Sequence, residues 1–124
     1  EGSYYSNHYA PDQEGAMVQG FVKRYQSEFS GKTPDGLAAL GYDAMMVLAD
    51  AMKRSLKDSG DLKGKELAKA IAATRDFKGV TGTITMDERR DAVKPAVMVQ
   101  MRKQADGSYA PRYVATVEPA EKKK

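Results

Sequence analysis

Between Thr74 and Thr83 the spacing of apolar residues changes from the helical period to the alternation of strands, and no other feature limits the fold as strongly. Upstream, Val18, Phe21, Val22, Tyr25 and Phe29 recur three and four residues apart, as on one face of an amphipathic helix. Downstream lies "FKGVTGTITMDERRDAVKPAVMVQM", from Phe77 to Met101. It holds two Thr-, Val- and Met-rich runs, each too short for a helix, on either side of a charged turn that ends at Asp91. In the second run Val97, Val99 and Met101 alternate with Met98, Gln100 and Arg102, the pattern of a half-buried strand. The opening residues Gly2 to Ser6 also favour strand. Two β-regions therefore stand at opposite ends of a helical middle.

Local signals set the expected boundaries. Asn7-His8-Tyr9-Ala10-Pro11 breaks regular structure and reads as a connector. Asp12 is the expected N-cap of the first helix and Gly31 its stop. Asp35 caps a second helix carrying Leu37, Leu40, Ala44, Met45, Leu48 and Met52, which Ala38, Ala39, Met46 and Ala49 widen beyond one stripe. A helix so broadly apolar is predicted to be covered on two sides. Lys53, Arg54 and Lys57 fall at its C-terminal end, the favourable sign for the helix dipole. A third helix is predicted near Lys65 to Thr74, with Leu67, Ala70 and Ile71 inward. Thr83 to Met86 reads as a strand, and Ala105-Asp106-Gly107-Ser108 as a hairpin turn in which Gly107 takes positive φ. Tyr109 to Val117 then returns antiparallel, and Pro111 favours a sheet edge. Pro119 to Lys124 is expected to be disordered.

Composition removes several classes of function. The net charge of +3 is accounted for by Lys122, Lys123 and Lys124, leaving 17 basic against 17 acidic residues that alternate along the chain. Such mixing argues against a phosphate-tracking surface, so no nucleic acid is expected as partner. No apolar run approaches the ~20 residues of a membrane-spanning helix. The absence of cysteine excludes disulfides, thiolate catalysis and cysteine-based zinc sites. The chain opens at Glu1 without an initiator Met or a signal-peptide pattern, which reads as processing or truncation.

No catalytic constellation emerges. Ser30-Gly31-Lys32-Thr33 resembles the end of a phosphate-binding loop, but the glycine required five residues before Gly31 is Gln26, and Pro34 follows. His8 is the only histidine, and it reads as a connector residue making an ordinary hydrogen bond. Asp87, Glu88 and Asp91 miss the spacing of a calcium loop and have Arg89 and Arg90 between them. The methionines, Met45, Met46 and Met52 among them, are assigned to packing. Tyr4, Tyr5 and Tyr9 flank the first connector and Tyr42 lies within the second helix, where each offers an apolar face with a polar tip suited to a cleft. Core packing is the simpler expectation for them. No enzyme, cofactor or metal is implied.

Three stretches carry a resemblance: "YYSNHYAPDQEGAMVQGFVKRYQSEF", "GLAALGYDAMMVLADAMKRS" and "LAKAIAATRDFKGVTGTITMDERRDAVKPAVMVQM". Together they resemble the C-terminal part of the type I periplasmic substrate-binding proteins of ABC transporters, in the branched-chain amino acid (Leu/Ile/Val-binding) family. "YDAMMVLADAM" and "GVTGTITMDERRDAVKPAVMVQ" are the most specific pieces, and the likeness covers nearly the whole chain but only about the last third of a family member.

The resemblance implies an α/β fold, a part of a two-lobed structure with three helices, flanking short strands and a C-terminal β-hairpin. Residues 1–6 would be a strand of one lobe, 7–11 a crossing between lobes, 12–90 the other lobe, 91–95 a crossing back, 96–118 the hairpin completing the first lobe and 119–124 a tail. Hinge residues would be Ser6, Asn7, His8 and Tyr9 with Asp91, Ala92, Val93, Lys94 and Pro95. Leu37 and Tyr42 would approach the ligand. Arg89-Arg90 stands where the family commonly has an Asn-Gly type of turn. The implied function is carriage: a periplasmic component captures a small amino-acid-like ligand by lobe closure and delivers it to an ABC permease. The alternative is a ligand-sensing or interaction module of the same fold without transport. Partners would also include the missing N-terminal portion or, by exchange of elements, a second copy.

Overall fold

A computed structural model describes residues 2–120. Its elements run β1 (Tyr4–Asn7), α1 (Ala16–Glu28), α2 (Gly36–Ser59), α3 (Gly64–Ala72), β2 (Phe77–Gly79), β3 (Gly82–Met86), β4 (Ala92–Val93), β5 (Ala96–Lys103) and β6 (Tyr109–Val117). Glu1 and residues 121–124, most of the expected tail, lie outside the described residues. The strands form two antiparallel sheets, β1-β5-β6 and β2-β3-β4.

The first sheet joins the two ends of the chain. Tyr4 pairs with Gln100 and Asn7 with Val97, while Val97 and Val99 turn inward against Ala10 and the partly buried Tyr113. The β5–β6 turn follows the expectation from sequence: Gly107 has φ 83, and Asp106 accepts hydrogen bonds from the amide and hydroxyl of Ser108. Those bonds hold the Asp106 carboxyl below its ordinary pKa, the Ser108 hydroxyl contributing most. Pro111 lies on β6, an edge strand, where its missing N–H is tolerated. A bulge shifts the register between Met98 and Val99, so that Val114 is skipped in the pairing.

The helices and the second sheet form a separate body. Val18, Phe21 and Val22 of α1 pack with Ala39 of α2, Val80 and Tyr9, and the Phe21 ring lies 5.0 Å from that of Tyr42. Arg54 ties α2 to the end of α3, donating to Ala70 O at 2.6 Å and Thr74 Oγ1 at 2.9 Å while pairing with Asp50. It therefore satisfies one carbonyl of α3 and the Thr74 hydroxyl beyond it instead of only complementing its own helix dipole.

Several expectations are corrected. The first helix begins at Ala16, and its N-cap is Gly15, without a side-chain cap. Asp12 instead accepts from the Tyr113 amide beside the β6 bulge, at 3.1 and 3.2 Å, with Arg112 3.9 Å away. The carboxylate thus serves an amide of the edge strand, and the helix end is left without a side-chain cap. On α2 the buried stripe is Ala39, Asp43, Val47, Ala51 and Ser55, a strict four-residue repeat of small residues and one acid. The larger apolar residues lie outside it: Leu37 is 77%, Met45 60% and Met46 42% exposed, so one face of α2 is covered and the other open. Small residues win the buried face because they let the helix approach its neighbours closely, whereas hydrophobicity alone points to the wrong stripe. Asp35 does cap α2 as expected, accepting from the Ala38 amide at 2.8 Å. Two very short strands, β2 and β4, escaped the sequence pattern.

The charged turn closes on itself. Asp87 Oδ1 accepts from the amides of Arg89 (2.9 Å) and Asp91 (3.0 Å), and Arg90 sits in the left-handed region with φ 69. A side chain there carries a steric cost that glycine avoids. Arg90→Gly should therefore raise stability by about 0.5–1 kcal/mol, read as a higher denaturant midpoint with an unchanged slope.

Candidate functional site

Two packed bodies meet where the chain passes between them, and the passages are short. Asn7 is paired in the sheet, His8 is exposed, and Tyr9 is 1% exposed inside the helical core. Its ring meets Phe21 edge-on at 6.1 Å, and its hydroxyl donates to Pro34 O. Burial, with the charge of Asp35 and the neighbouring Tyr25 adding to it, pushes the Tyr9 phenol up to about 12. On the return, Ala92 and Val93 pair with Met86 and Thr85, Pro95 is buried, and Ala96 already pairs with Val117.

The residue that organises this junction is Asp43, 2% exposed in the middle of α2. Oδ1 accepts from the Val80 amide at 2.8 Å, and Oδ2 accepts from the Thr81 amide at 2.8 Å and the Thr81 hydroxyl at 2.7 Å. Val80 and Thr81 form the loop between β2 and β3, whose ends Gly79 and Gly82 are paired. A Cβ at Gly79 would come within 2.5 Å of Asp43 Oδ2, so the carboxylate requires glycine there. A Cβ at Gly82, which has φ 111, would lie 2.4 Å from Pro95 Cγ. The loop that the carboxylate holds is thus the surface on which the return passage rests. Sequence inspection missed Asp43; an acid among small residues on the helical stripe Ala39, Val47, Ala51 was the available signal.

Among the described residues, three of the hollows bear on the residues named above. One, of about 250 Å³, is an apolar trough between α2, α3 and β3, lined by residues including Leu40, Val47, Leu48, Ile71 and Ile84, with Asp43 and Lys94 at its polar side. Burial holds the Lys94 ammonium below its ordinary pKa, and the Asp43 charge partly offsets this. A second, of about 230 Å³, lies between the bodies, with Val18, Val80 and Thr83 on one side and Val97 and Thr116 on the other. The third, about 300 Å³, is shallow and lies beside Tyr42, Phe21 and Arg24.

Of the expected site residues, Leu37 projects from the start of α2 and lines none of these hollows, whereas Tyr42 packs on Phe21 and lines the third. The structure does not bring the two together. Among the expected hinge residues, Ser6 and Asn7 lie in β1, Ala92 and Val93 in β4, Asp91 ends the charged turn, and Tyr9 and Pro95 are buried in place. Tyr4 is 59% exposed and Tyr5 39%, so of the tyrosines near the first connector Tyr9 alone is core.

Short passages join separately packed α/β bodies, the arrangement of part of a larger α/β fold. The chain belongs to the periplasmic binding protein family, whose sequence model matches residues 1–107. It is 34% identical over 89 residues to the Leu/Ile/Val-binding protein homolog 1 of Brucella suis biovar 1 (strain 1330), a match covering 71% of this chain and 22% of that protein. Among solved structures, the leucine binding protein LivK from Thermotoga maritima MSB8 is 35% identical with a TM-score of 0.73, covering 96% of this chain and 31% of that one. The branched-chain amino acid transporter substrate binding protein LivJ from Streptococcus pneumoniae, in complex with isoleucine, is 28% identical with a TM-score of 0.70, covering 90% and 30%. A solute binding protein from R. palustris in complex with benzoate is 25% identical with a TM-score of 0.71, covering 96% and 32%. The chain thus spans under a third of the length of these relatives.

Removing the Asp43 carboxylate orphans two buried amides and a hydroxyl, so Asp43→Ala should cost about 3–5 kcal/mol in chemical denaturation. Asp43→Asn should fall between it and the parent, because an amide presents a donor to one of the two amide donors. Tyr9 makes a second prediction. Its phenol is harder to ionise folded than unfolded, so its contribution to stability is complete below pH 10 and is lost as pH rises toward about 12. Tyr9→Phe should flatten that alkaline loss, as followed by denaturation midpoints across the range.

Proposed function

We propose that this chain acts as part of the solute-binding component of an ABC importer for branched-chain or related amino acids. The reading rests above all on the two separately packed bodies joined by short passages, in a member of the periplasmic binding protein family. Residues 2–6 and 96–118 belong in this reading to one lobe and residues 12–90 to the other, with 7–11 and 91–95 as the crossings. Ligand held between lobes favours the closed arrangement by its extra contacts there, and the closed form is what a permease would recognise. The site of action is periplasmic. Leu37 meets the ligand with its exposed side chain at the start of α2, and Tyr42 approaches it with the ring face that Phe21 leaves free.

The relatives' ligands support the class of ligand. Proteins similar to this chain are described with isoleucine and with benzoate, both compact carboxylates carrying an apolar group. The decisive experiment is calorimetric titration of a full-length protein containing this chain with leucine, isoleucine, valine and benzoate, paired with small-angle scattering. Saturable binding with a smaller radius of gyration is expected; binding without compaction would favour the sensing or interaction module, and no binding to any of the four would overturn the reading. Leu37→Ala should weaken binding about tenfold if its side chain is buried by the ligand.

The open face of α2 and the apolar trough also bear on partners. Leu37, Met45 and Met46 are exposed, and with the open trough they leave apolar surface that drives association. That surface is covered by the remaining polypeptide of a full-length binding protein or, in its absence, by a second copy exchanging elements. Light scattering of the chain alone should show a dimer or larger species; a monodisperse monomer would remove this proposal.

A further inference from the structure

Local sequence points to the two Asp-Gly pairs, Asp35-Gly36 and Asp106-Gly107, as the places where a side-chain carbonyl is most open to attack by its own backbone. In the fold both are restrained. The Asp35 carboxylate caps α2, accepting from the Ala38 amide at 2.8 Å. Asp106 accepts from the amide and hydroxyl of Ser108, and the Gly107 amide, which would be the attacking group, donates instead to Gln104 O at 3.0 Å. Asn7, the only asparagine of the chain and of a thermally labile residue type, is held the opposite way. We propose that Asn7 is a site of covalent modification, at which the His8 backbone nitrogen displaces the side-chain amide and leaves aspartate or isoaspartate at the end of β1.

The His8 amide donates to Asn7 Oδ1 at 2.8 Å and makes no backbone hydrogen bond among the described residues, because the pairing of β1 ends with Asn7 opposite Val97. With a C=O bond of about 1.23 Å, Asn7 Cγ stands no more than about 4.0 Å from that nitrogen. Nucleophile and carbonyl are already together, which removes much of the ordering cost of ring closure. The side chain is kept there by α2. A Cβ at Gly36 would lie 2.7 Å from Asn7 Oδ1, so the first residue of that helix leaves room for the amide only because it is glycine. Asn7 Nδ2, the departing nitrogen, donates to no group among the described residues. His8 is exposed and Asn7 half-buried, so water reaches the site.

Water is the only other reactant. The His8 N–H gives its proton to water or hydroxide, the nitrogen bonds to Asn7 Cγ, and the Cγ–Nδ2 bond breaks as ammonia takes up a proton and leaves a cyclic succinimide. A second water opens the ring at either carbonyl. Opening at the side-chain carbonyl gives aspartate, whereas opening at the main-chain carbonyl gives isoaspartate, whose backbone runs through Cβ and is longer by that carbon. Aspartate sets a new negative charge against the N-terminal end of α2, where the helix dipole favours it. Isoaspartate lengthens the chain between the residue paired with Val97 and Tyr9, which is fixed in the helical core, and so disturbs the end of the ladder.

The test follows the peptide carrying Asn7 by mass spectrometry, with electron-transfer fragmentation to tell isoaspartate from aspartate, in a full-length protein containing this chain held at neutral pH. The folded protein is compared with the same protein in urea and with Gly36→Ala. Conversion of Asn7 should run at least as fast folded as unfolded, and ahead of isoaspartate formation at Asp35 or Asp106. Gly36 has no positive φ, so alanine suits its backbone. Gly36→Ala should push the Asn7 side chain off the His8 amide and slow the folded rate about tenfold, leaving the rate in urea unchanged. A folded rate well below the rate in urea, or a Gly36→Ala rate equal to the parent's, overturns the assignment and makes Asn7 a protected strand residue. If Gly36→Ala does not fold, the folded and unfolded parent decide between them. None of these readouts depends on a ligand or a permease.

Discussion

The Asp43 carboxylate, buried in the middle of α2 and saturated by the Val80-Thr81 loop, is the contact on which the rest of the structure depends. A charge in that position is tolerable only because each oxygen is hydrogen-bonded, by two backbone amides of a tight loop and the Thr81 hydroxyl. The loop is thereby fixed to the helix, β2 and β3 follow from the loop, and β4 follows from β3. Both glycines of the loop become obligatory for separate reasons: Gly79 makes room for the carboxylate, Gly82 for Pro95. A single buried acid therefore orders residues 79–95, across the place where the chain leaves one body for the other.

The two bodies differ in how they are held. The helical body relies on aromatic and small-residue packing, with Phe21 touching Tyr9, Tyr25 and Tyr42 and with Ala39 and Ala51 admitting close approach to α2. The sheet body relies on ladder pairing and a small core of Ala10, Val97 and Val99. Asp12 and Gln19 work at the boundary, one taking an edge amide of the sheet and the other holding two carbonyls of the loop that leads into α1. Such polar contacts between bodies cost little to break and re-form, whereas separating the apolar cores would expose them to water.

Much of the fold was legible in the residues. The change of period near Phe77 separated helices from strands, Asp35 marked the start of α2, and Gly107 with Asp106 marked the last hairpin. The resemblance carried by "YDAMMVLADAM" and "GVTGTITMDERRDAVKPAVMVQ" pointed to the family that residues 1–107 match. The candidate site was far less legible. Hydrophobicity placed Met45, Met46 and Leu37 inward, although α2 buries Ala39, Asp43, Val47, Ala51 and Ser55. Asp12 looked like a cap because its local sequence suited one, and its true partner is 101 residues away.

The sequence by itself determined the kinds of element, their order, their turns and the family, because these depend on periodicity and on residues close along the chain. Only the tertiary structure decided which stripe of α2 is buried, which amides Asp43 and Asp12 satisfy, and that Pro95 rests on Gly82. Those outcomes depend on steric fit and on the pairing of polar groups far apart in the chain, and no local spacing of residues encodes which distant donor meets which carboxylate.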